Sequence, residues 1–552
     1  MTASSRVHWW TTLALAGVGG LLLAVFLGSR RALPVLPRAA GEENVLRIAF
    51  MQRLLPDPHL RTFPFPAQNQ FTLSLWEPLI ECDPGTGQPR PAAAESWKWS
   101  DDRLVLTLKL RADGRWSNGE PVTARDFVRG WRRLLGRNLD TAATLFPLKN
   151  AEAFHRGQNT DPAAVGVTAV DDRTLRLTLG GVRSTFVAEL ADPLLAPLHE
   201  STAAVLQEQS FWRHPEKLIG NGAFLLEQAG PEGFRLRASP QYHGVGGVRL
   251  SGVEFVRADN LGMAQLLVAA GRVDMMSPVR GGEPAESPTD RGVTVASEMA
   301  LMVTTLDLNV SRGPLRDLRV RRALSLALDR AASIKAQDGE NMVPAFAWVP
   351  DMPGRPGLTL LHENVAEARR LLAEAGYAGG RGFPVLVMPT APAWQGYAYV
   401  QSWTERWYRE LGIRTYLACD KDLERKQRLV SGDYDIFYNG LIATVPDAGD
   451  MLNAFAQPGV YSASHWEDPA VTQLLALADC KAGVERLALL ERVERTVMDA
   501  VPTIPVMFDR RRTLLALEVD GWYADPLARQ SLKRLSIRPP TADRPPVGRM
   551  PL

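Results

Sequence analysis

Between residues 104 and 110 apolar side chains fall at every second position, Leu104, Leu106, Leu108 and Leu110 alternating with Val105, Thr107 and Lys109. A period of two predicts a strand with one buried face. Residues 174–179 repeat the pattern and predict a second strand. After Thr123 the spacing changes: Phe127, Trp131 and Leu134 recur at helical intervals, and Thr123 with Asp126 resembles a capping pair, so a helix is predicted to start near Ala124. Asp317 is placed to cap a second helix whose stripe is Val320, Leu324, Ala327 and Leu328, while Asn364 and Glu367 frame a third that ends at Gly376. No repeat or low-complexity block interrupts these patterns. Their mixture along the chain points to an α/β body.

The ends differ from this body. Residues 9–29 form an uncharged, mostly apolar run, roughly the 20 residues that cross a bilayer as a helix. Arg6 precedes the run and Arg30, Arg31 and Arg38 follow it, so basic-residue counting leaves its orientation open. No cysteine lies in the first forty residues, which excludes lipid attachment at a cysteine, and no small-x-small cleavage site follows the run. An uncleaved anchor is expected rather than a signal peptide. Pro34 and Pro37 mark a short linker beyond it, and the proline-rich segment 539–552 is expected to be a disordered tail.

Composition narrows the function classes. The 552 residues are 45% hydrophobic and 22% charged, the values of an ordinary globular protein long enough for two or more domains. A net charge of +2, from 63 basic and 61 acidic residues, supplies no field to draw the chain onto nucleic acid. Cys82, Cys419 and Cys480 are far apart and odd in number, which argues against a disulfide framework or a paired-thiolate zinc site and reads as small buried residues. There is no Gly-x-Ser-x-Gly elbow, no His-Glu-x-x-His, no Walker-type loop and no strand-linked Gly-x-Gly-x-x-Gly. His199 beside Glu200 and His465 near Asp468 come closest to acid–base pairs, but a lone histidine next to a carboxylate is ordinarily a surface or packing feature. No catalytic residue, metal site or cofactor is assigned.

Several stretches, in order, carry a resemblance. Trp116-Ser-Asn-Gly-Glu-Pro-Val-Thr-Ala-Arg-Asp-Phe-Val-Arg-Gly-Trp131 is flanked upstream by Leu75-Trp-Glu-Pro-Leu-Ile-Glu-Cys-Asp83 and Ala94-Glu-Ser-Trp-Lys-Trp-Ser-Asp101. Downstream come Gly220-Asn-Gly-Ala-Phe224, Ser239-Pro-Gln-Tyr242, Ala270-Gly-Arg-Val-Asp274, Asp317-Leu-Arg-Val-Arg-Arg-Ala-Leu-Ser-Leu-Ala-Leu-Asp-Arg330, a segment from Leu371 to Tyr377, and Val501-Pro-Thr-Ile-Pro-Val506. Over about residues 46–538 the chain resembles the family 5 extracellular solute-binding proteins, the oligopeptide- and dipeptide-binding group.

The resemblance implies a two-lobed periplasmic-binding-protein fold of mixed α/β lobes (class II) with an extra domain. It divides the chain into a signal or anchor helix (1–29), linker (30–45), first lobe I segment (46–78), extra domain II (79–209), second lobe I segment (210–302), lobe III (303–509), lobe I return (510–538) and tail (539–552). It implies a monomeric receptor that closes on a peptide or peptide-like ligand and presents it to the permease subunits of an ABC importer. The expected location is the periplasmic or extracytoplasmic side, with the N-terminal helix in the inner membrane. A tethered sensor or scaffold of the same fold, and less readily an envelope enzyme, are the rival readings.

The resemblance also implies site residues. Gln52, Arg53 and Leu54 stand where family members pair a strand with ligand backbone. Trp348, in the proline-bounded Pro344-Ala-Phe-Ala-Trp-Val-Pro350, stands where the family has a cleft-facing aromatic loop. Tyr438 replaces a family arginine near the ligand's carboxyl end, and Asn439 follows it as a cleft candidate. Thr444 falls where the oligopeptide-binding members carry the aspartate that receives the ligand's free amino group. Threonine offers no anion, and hydrogen bonds to charged groups are worth about 1.5–3 kcal/mol against about 1 for neutral ones. Asp447 or Asp450, from the following loop, could replace that aspartate, although such turn residues are ordinarily solvated.

Overall fold

The structure, a computed structural model, describes residues 44–51, 54–55, 57–59, 66–83, 85–137, 139–208, 214–280, 293–338, 342–352, 354–391, 396–456 and 463–538. The apolar run 9–29, the linker up to residue 43, Gln52, Arg53 and the tail lie outside them. Among the described residues no helix is long and apolar enough to cross a membrane.

The first lobe opens with β1 (Val45–Phe50) and α1 (Pro66–Leu75). An antiparallel four-stranded sheet follows, built from β2 (Ala94–Trp99), β3 (Val105–Leu110), β4 (Val167–Asp171) and β5 (Thr174–Thr178) in the order β2-β3-β5-β4, with α2 (Ala124–Leu135) between β3 and β4. The chain then returns to the first lobe through β6 (Phe224–Gly230), β7 (Gly233–Ala238), β8 (Gly252–Arg257) and β9 (Met275–Met276). The long strand β10 (Val293–Leu308) leads into the second lobe, which contains α3 (Leu318–Leu326), α4 (Val365–Glu374), α5 (Tyr397–Leu411), β11 (Ile436–Ile442), α6 (Ala448–Leu452), α7 (Pro469–Asp479) and α8 (Gly483–Ala500). Strand β12 (Thr503–Ala516) comes back.

These strands join in one sheet with the order β11-β10-β12-β9-β1-β8-β7-β6. Strands β10 and β12 run antiparallel through both lobes. Their first-lobe halves pair from Val293 with Ala516 to Met299 with Arg510, and their second-lobe halves from Val303 with Phe508 to Asp307 with Thr503. Between Met299 and Val303 the register shifts, the kind of irregularity that bends a ladder. One large apolar core fills the first lobe and the four-stranded body together beside a smaller first-lobe cluster around Val268, and the second lobe holds two large cores, around Trp403 and around Trp348, with a small one around Tyr434.

The local patterns appear where their chemistry places them. Leu106, Leu108 and Leu110 of β3 are buried, as alternation predicts. Helix α2 begins at Ala124, where one Asp126 oxygen accepts from the Thr123 N–H at 2.8 Å, the Thr123 hydroxyl at 2.9 Å and the Trp116 indole at 3.2 Å. Asp317 accepts from the Arg319 N–H at the start of α3, and Asn364 from the Glu367 N–H at the start of α4. The cysteine expectation needs correction. Cys419 and Cys480 are exposed free thiols, and only Cys82 is part-buried.

The motifs that carry the resemblance turn out to hold the discontinuous first lobe together. Asn221 accepts from the Glu77 N–H and donates to the Glu77 carbonyl, and a Cβ at Gly220 or Gly222 would run into the backbone of residues 74–75. The Glu77 carboxylate receives the Tyr242 hydroxyl, His243 Nε2 at 2.7 Å and Lys533 Nζ at 3.1 Å, so one side chain fastens three separate segments. Burial opposes its charge, but Lys533 and His243 outweigh this and hold the Glu77 pKa down at about 2. In the second lobe Arg321 donates to the carbonyls of Leu315, Arg316, Ala500 and Val501, and the wholly buried Arg330 to Pro505 and Glu363.

Candidate functional site

Where β11 ends, the chain turns through Thr444 into the short helix α6. Asp447 caps that helix by accepting from the Gly449 N–H at 2.7 Å, and its two oxygens meet Arg486 of α8 at 2.7 and 2.8 Å. Its charge is therefore already matched. Asp450, one turn on, folds back instead. Its Oδ2 accepts from the Thr444 N–H at 2.6 Å and the Val445 N–H at 3.3 Å, and its Oδ1 from the Thr444 hydroxyl at 2.8 Å. The expected solvated turn residue is a buried carboxylate with 7% of its side chain exposed.

This carboxylate borders a cavity of about 310 Å³ whose walls come from both halves of the molecule. The second lobe supplies Leu441, Ile442, Asp450 and Asp479, and the four-stranded body supplies Phe146, Arg183 and Glu189. Arg183 follows the Gly180-Gly181 turn that leaves β5. Its Nε lies 2.6 Å from Glu189 Oε1 in its own half, and its Nη2 lies 3.7 Å from Asp450 Oδ1 across the cavity. Next to it Ser184 donates to Asp479 at the end of α7 through its hydroxyl at 2.7 Å and its N–H at 3.3 Å.

The electrostatics follow from counting charges. Four carboxylates, Glu152, Glu189, Asp450 and Asp479, line the cavity with one guanidinium, Arg183; Glu152 is half-exposed and paired with Arg156 at 2.6 Å, and the other three face Arg183. Burial pushes the Asp450 carboxyl above its ordinary value, only partly offset by Arg183 and the Thr444 donors, and burial likewise raises Glu189 against the pull of Arg183. Burial disfavours the Arg183 charge too, yet Glu189 and Asp450 more than restore it, so its pKa rises. Such a chamber favours a further cation over an anion. A second cavity, of about 70 Å³, borders the same loop at Pro446 and is lined by Glu77, Cys82 and Lys533. Glu77 and Lys533 are already paired with each other there.

The remaining sequence candidates divide. Gln52 and Arg53 lie outside the described residues. Leu54 puts its side chain into the first-lobe core, and the backbone of Leu55 is pinned through both its N–H and its carbonyl by Gln68 of α1. Trp348 is a correction to the cleft-facing expectation. It is 1% exposed, its indole donates to the Met451 carbonyl at 3.0 Å and its ring packs 4.6 Å from Phe455, which satisfies it inside the second-lobe core. Tyr438 is also buried, its ring stacked 6.3 Å from Trp403, and Asn439 donates to Asp307 at 2.9 Å. Only Thr444 lines the cavity, where it positions Asp450. Arg183, Glu189 and Asp479 carried no sequence signal, because their partners are 6 to 295 residues away and no spacing rule joins them. His199 binds Glu120 at 2.6 Å and His465 the Tyr434 hydroxyl at 3.0 Å, both away from the cavity. Among the described residues no cluster has the makings of a metal site.

Comparison with known proteins gives one consistent picture. The sequence profile of the bacterial extracellular solute-binding proteins, family 5 Middle, matches residues 88–463. The probable deoxycholate-binding periplasmic protein YgiS of Escherichia coli (strain K12) is 28% identical over 472 residues, covering 82% of this chain and 86% of that protein. The periplasmic oligopeptide-binding protein OppA of Salmonella typhimurium is 25% identical over 551 residues, covering 95% and 98%. Among solved structures, the periplasmic oligopeptide-binding protein OppAIV of Borrelia burgdorferi superposes with a TM-score of 0.72 at 22% identity, over 89% of this chain and all of that one, a likeness of fold.

Proposed function

The chain belongs to the bacterial extracellular solute-binding proteins of family 5, and from that premise we propose that it is an extracytoplasmic receptor that captures a peptide or peptide-like ligand between its lobes and hands it to an ABC permease. The observation that carries this reading is the cavity walled by both halves, with the buried Asp450 on one wall and Arg183 on the other. A ligand that touches both walls favours the closed arrangement by its differential contacts, and several kcal/mol, about 5.5 for a full reversal of a hundredfold bias, turns binding into a change of shape. The role is that of a receptor rather than a catalyst. Anchoring by the run 9–29 would hold it beside its permease at high effective concentration.

Two ligand chemistries compete, since one relative is named for an oligopeptide and another for deoxycholate, an apolar acid. The three carboxylates around one guanidinium, with Glu152 already paired to Arg156, disfavour a carboxylate at this point and favour an ammonium. The test is to release the ligand that co-purifies with the chain, identify it by mass spectrometry, and compare its affinity with that of an N-acetylated form. A peptide whose acetylation weakens binding by tenfold or more, about 1.4 kcal/mol, is the expected result. Recovery of an anionic lipid or sterol that binds without a basic group overturns the peptide assignment.

A further inference from the structure

Resting on that receptor reading, we propose that Arg183 is a built-in competitor of the ligand: its guanidinium holds Asp450 across the cleft and must yield that carboxylate to an incoming ammonium group. Three features of the geometry carry the inference. First, Arg183 is held by unequal contacts, a 2.6 Å hydrogen-bonded pair with Glu189 in its own half and a looser 3.7 Å approach to Asp450 in the other. The second contact can be given up while the first stays. Second, Asp450 is the better-prepared partner for a ligand, since Thr444 and Val445 fix both of its oxygens from their own backbone and hydroxyl donors, without Arg183. Third, the cavity leaves room beside the two groups, and Ser184 with Asp479 still ties the halves together after Arg183 lets go.

The consequence is thermodynamic. An arrangement of the ligand-free chain that the ligand must undo lowers apparent affinity by the fraction of molecules in it. An acetylated end makes no claim on Asp450 and leaves Arg183 in place, whereas an ammonium group competes for it directly. Removing the guanidinium should therefore help free amines alone. No ligand contact need be made by Arg183 itself.

The experiment uses the full-length chain, trialanine and N-acetyl-trialanine, and isothermal titration calorimetry. Arg183→Gln should tighten trialanine about tenfold and leave the acetylated form unchanged, the result of freeing Asp450 from a populated internal contact. Asp450→Asn should make the two forms bind alike. Weaker binding of both forms to Arg183→Gln, or equal tightening of both, overturns the inference, because Arg183 would then be a ligand contact or a general brace. The double variant Arg183→Gln/Glu189→Gln, which keeps the local charge balanced, repeats the measurement should the single variant melt early. If neither tripeptide binds the unaltered chain, the peptide reading is what has failed. Small-angle scattering of the ligand-free chain in an Asp479→Ala background, which removes the Ser184 tie across the cleft, then decides the inference: a larger radius of gyration on adding Arg183→Gln upholds the cross-cleft hold, and superimposable curves overturn it.

Discussion

At the scale of single residues, the most exposed weakness of this molecule is a histidine. His59 is fully buried beside Asp57, which Arg133 grips at 2.7 and 3.0 Å and Arg137 at 2.9 Å, while Arg133 also meets His59 Nδ1 at 2.9 Å. Burial disfavours the imidazolium, Asp57 favours it, and the two arginines oppose it; the balance lowers its pKa to about 4. A native pKa below the unfolded value of about 6.5 means that the unfolded chain binds the extra proton between those values, so stability is complete above pH 6.5 and falls as pH drops toward 4. The loss should approach 3 kcal/mol, on the order of two and a half pKa shifts of about 1.36 kcal/mol each. Urea denaturation at a series of pH values checks this, and His59→Gln should flatten the slope between pH 6.5 and 4. An unchanged slope in that variant would assign the acid sensitivity elsewhere. The same scale shows what the sequence can hide. Counting along β11 arrives at Thr444, which has no carboxylate, but a carboxylate six residues later reaches back to it, and only the turn into α6 makes that visible. Trp348 misled in the opposite direction, since a proline-bounded aromatic segment looks the same in sequence whether its indole faces a cleft or a buried carbonyl.

At the scale of elements, strands β10 and β12 are the two long strands that cross between the lobes. Just before their register shift Glu298 and Arg511 stand opposite one another, both nearly buried, with Arg511 Nε 3.4 Å from Glu298 Oε1. The segment after β12 is sewn to this pair: Glu298 accepts from the Asp525 N–H at 2.8 Å and from Gln530, while Arg511 donates to the carbonyls of Asp525 and Pro526. Glu298→Ala should leave a buried guanidinium without its anion and cost about 3 kcal/mol, whereas Glu298→Gln, which keeps acceptors for Asp525 and Gln530, should cost visibly less. Thermal melts of the two variants make the comparison, and equal losses would mean that packing rather than charge matters there. The elements themselves were the most legible part of the chain. Alternation in β3 and the caps at Thr123, Asp317 and Asn364 are local signals, each fixed within a few residues, and the structure keeps them. The long strands β10 and β12 were not predicted, because their pairing partners lie some 200 residues apart and periodicity within one segment carries no information about which other segment it meets.

At the scale of the whole molecule, the separation of cores sets the unfolding behaviour. One large core joins the first lobe to the four-stranded body beside a smaller first-lobe cluster, while the second lobe has three clusters of its own, and two long strands cross between the lobes. Few apolar contacts oblige one lobe to unfold because the other has, so calorimetry of the ligand-free chain should resolve two transitions rather than one. The candidate cavity is walled by both halves, with Asp450 on one side and Phe146 and Glu189 on the other. Whichever lobe melts first therefore destroys the site. Ligand at a hundred times its Kd adds about 2.7 kcal/mol to that first transition and nothing to the second, which begins from a chain that can no longer bind. The lower transition should climb toward the upper one as ligand is added, and merge with it at sufficient concentration. If instead the upper transition alone moved, the ligand would be held within a single lobe, and the cavity between the halves would not be where this protein binds.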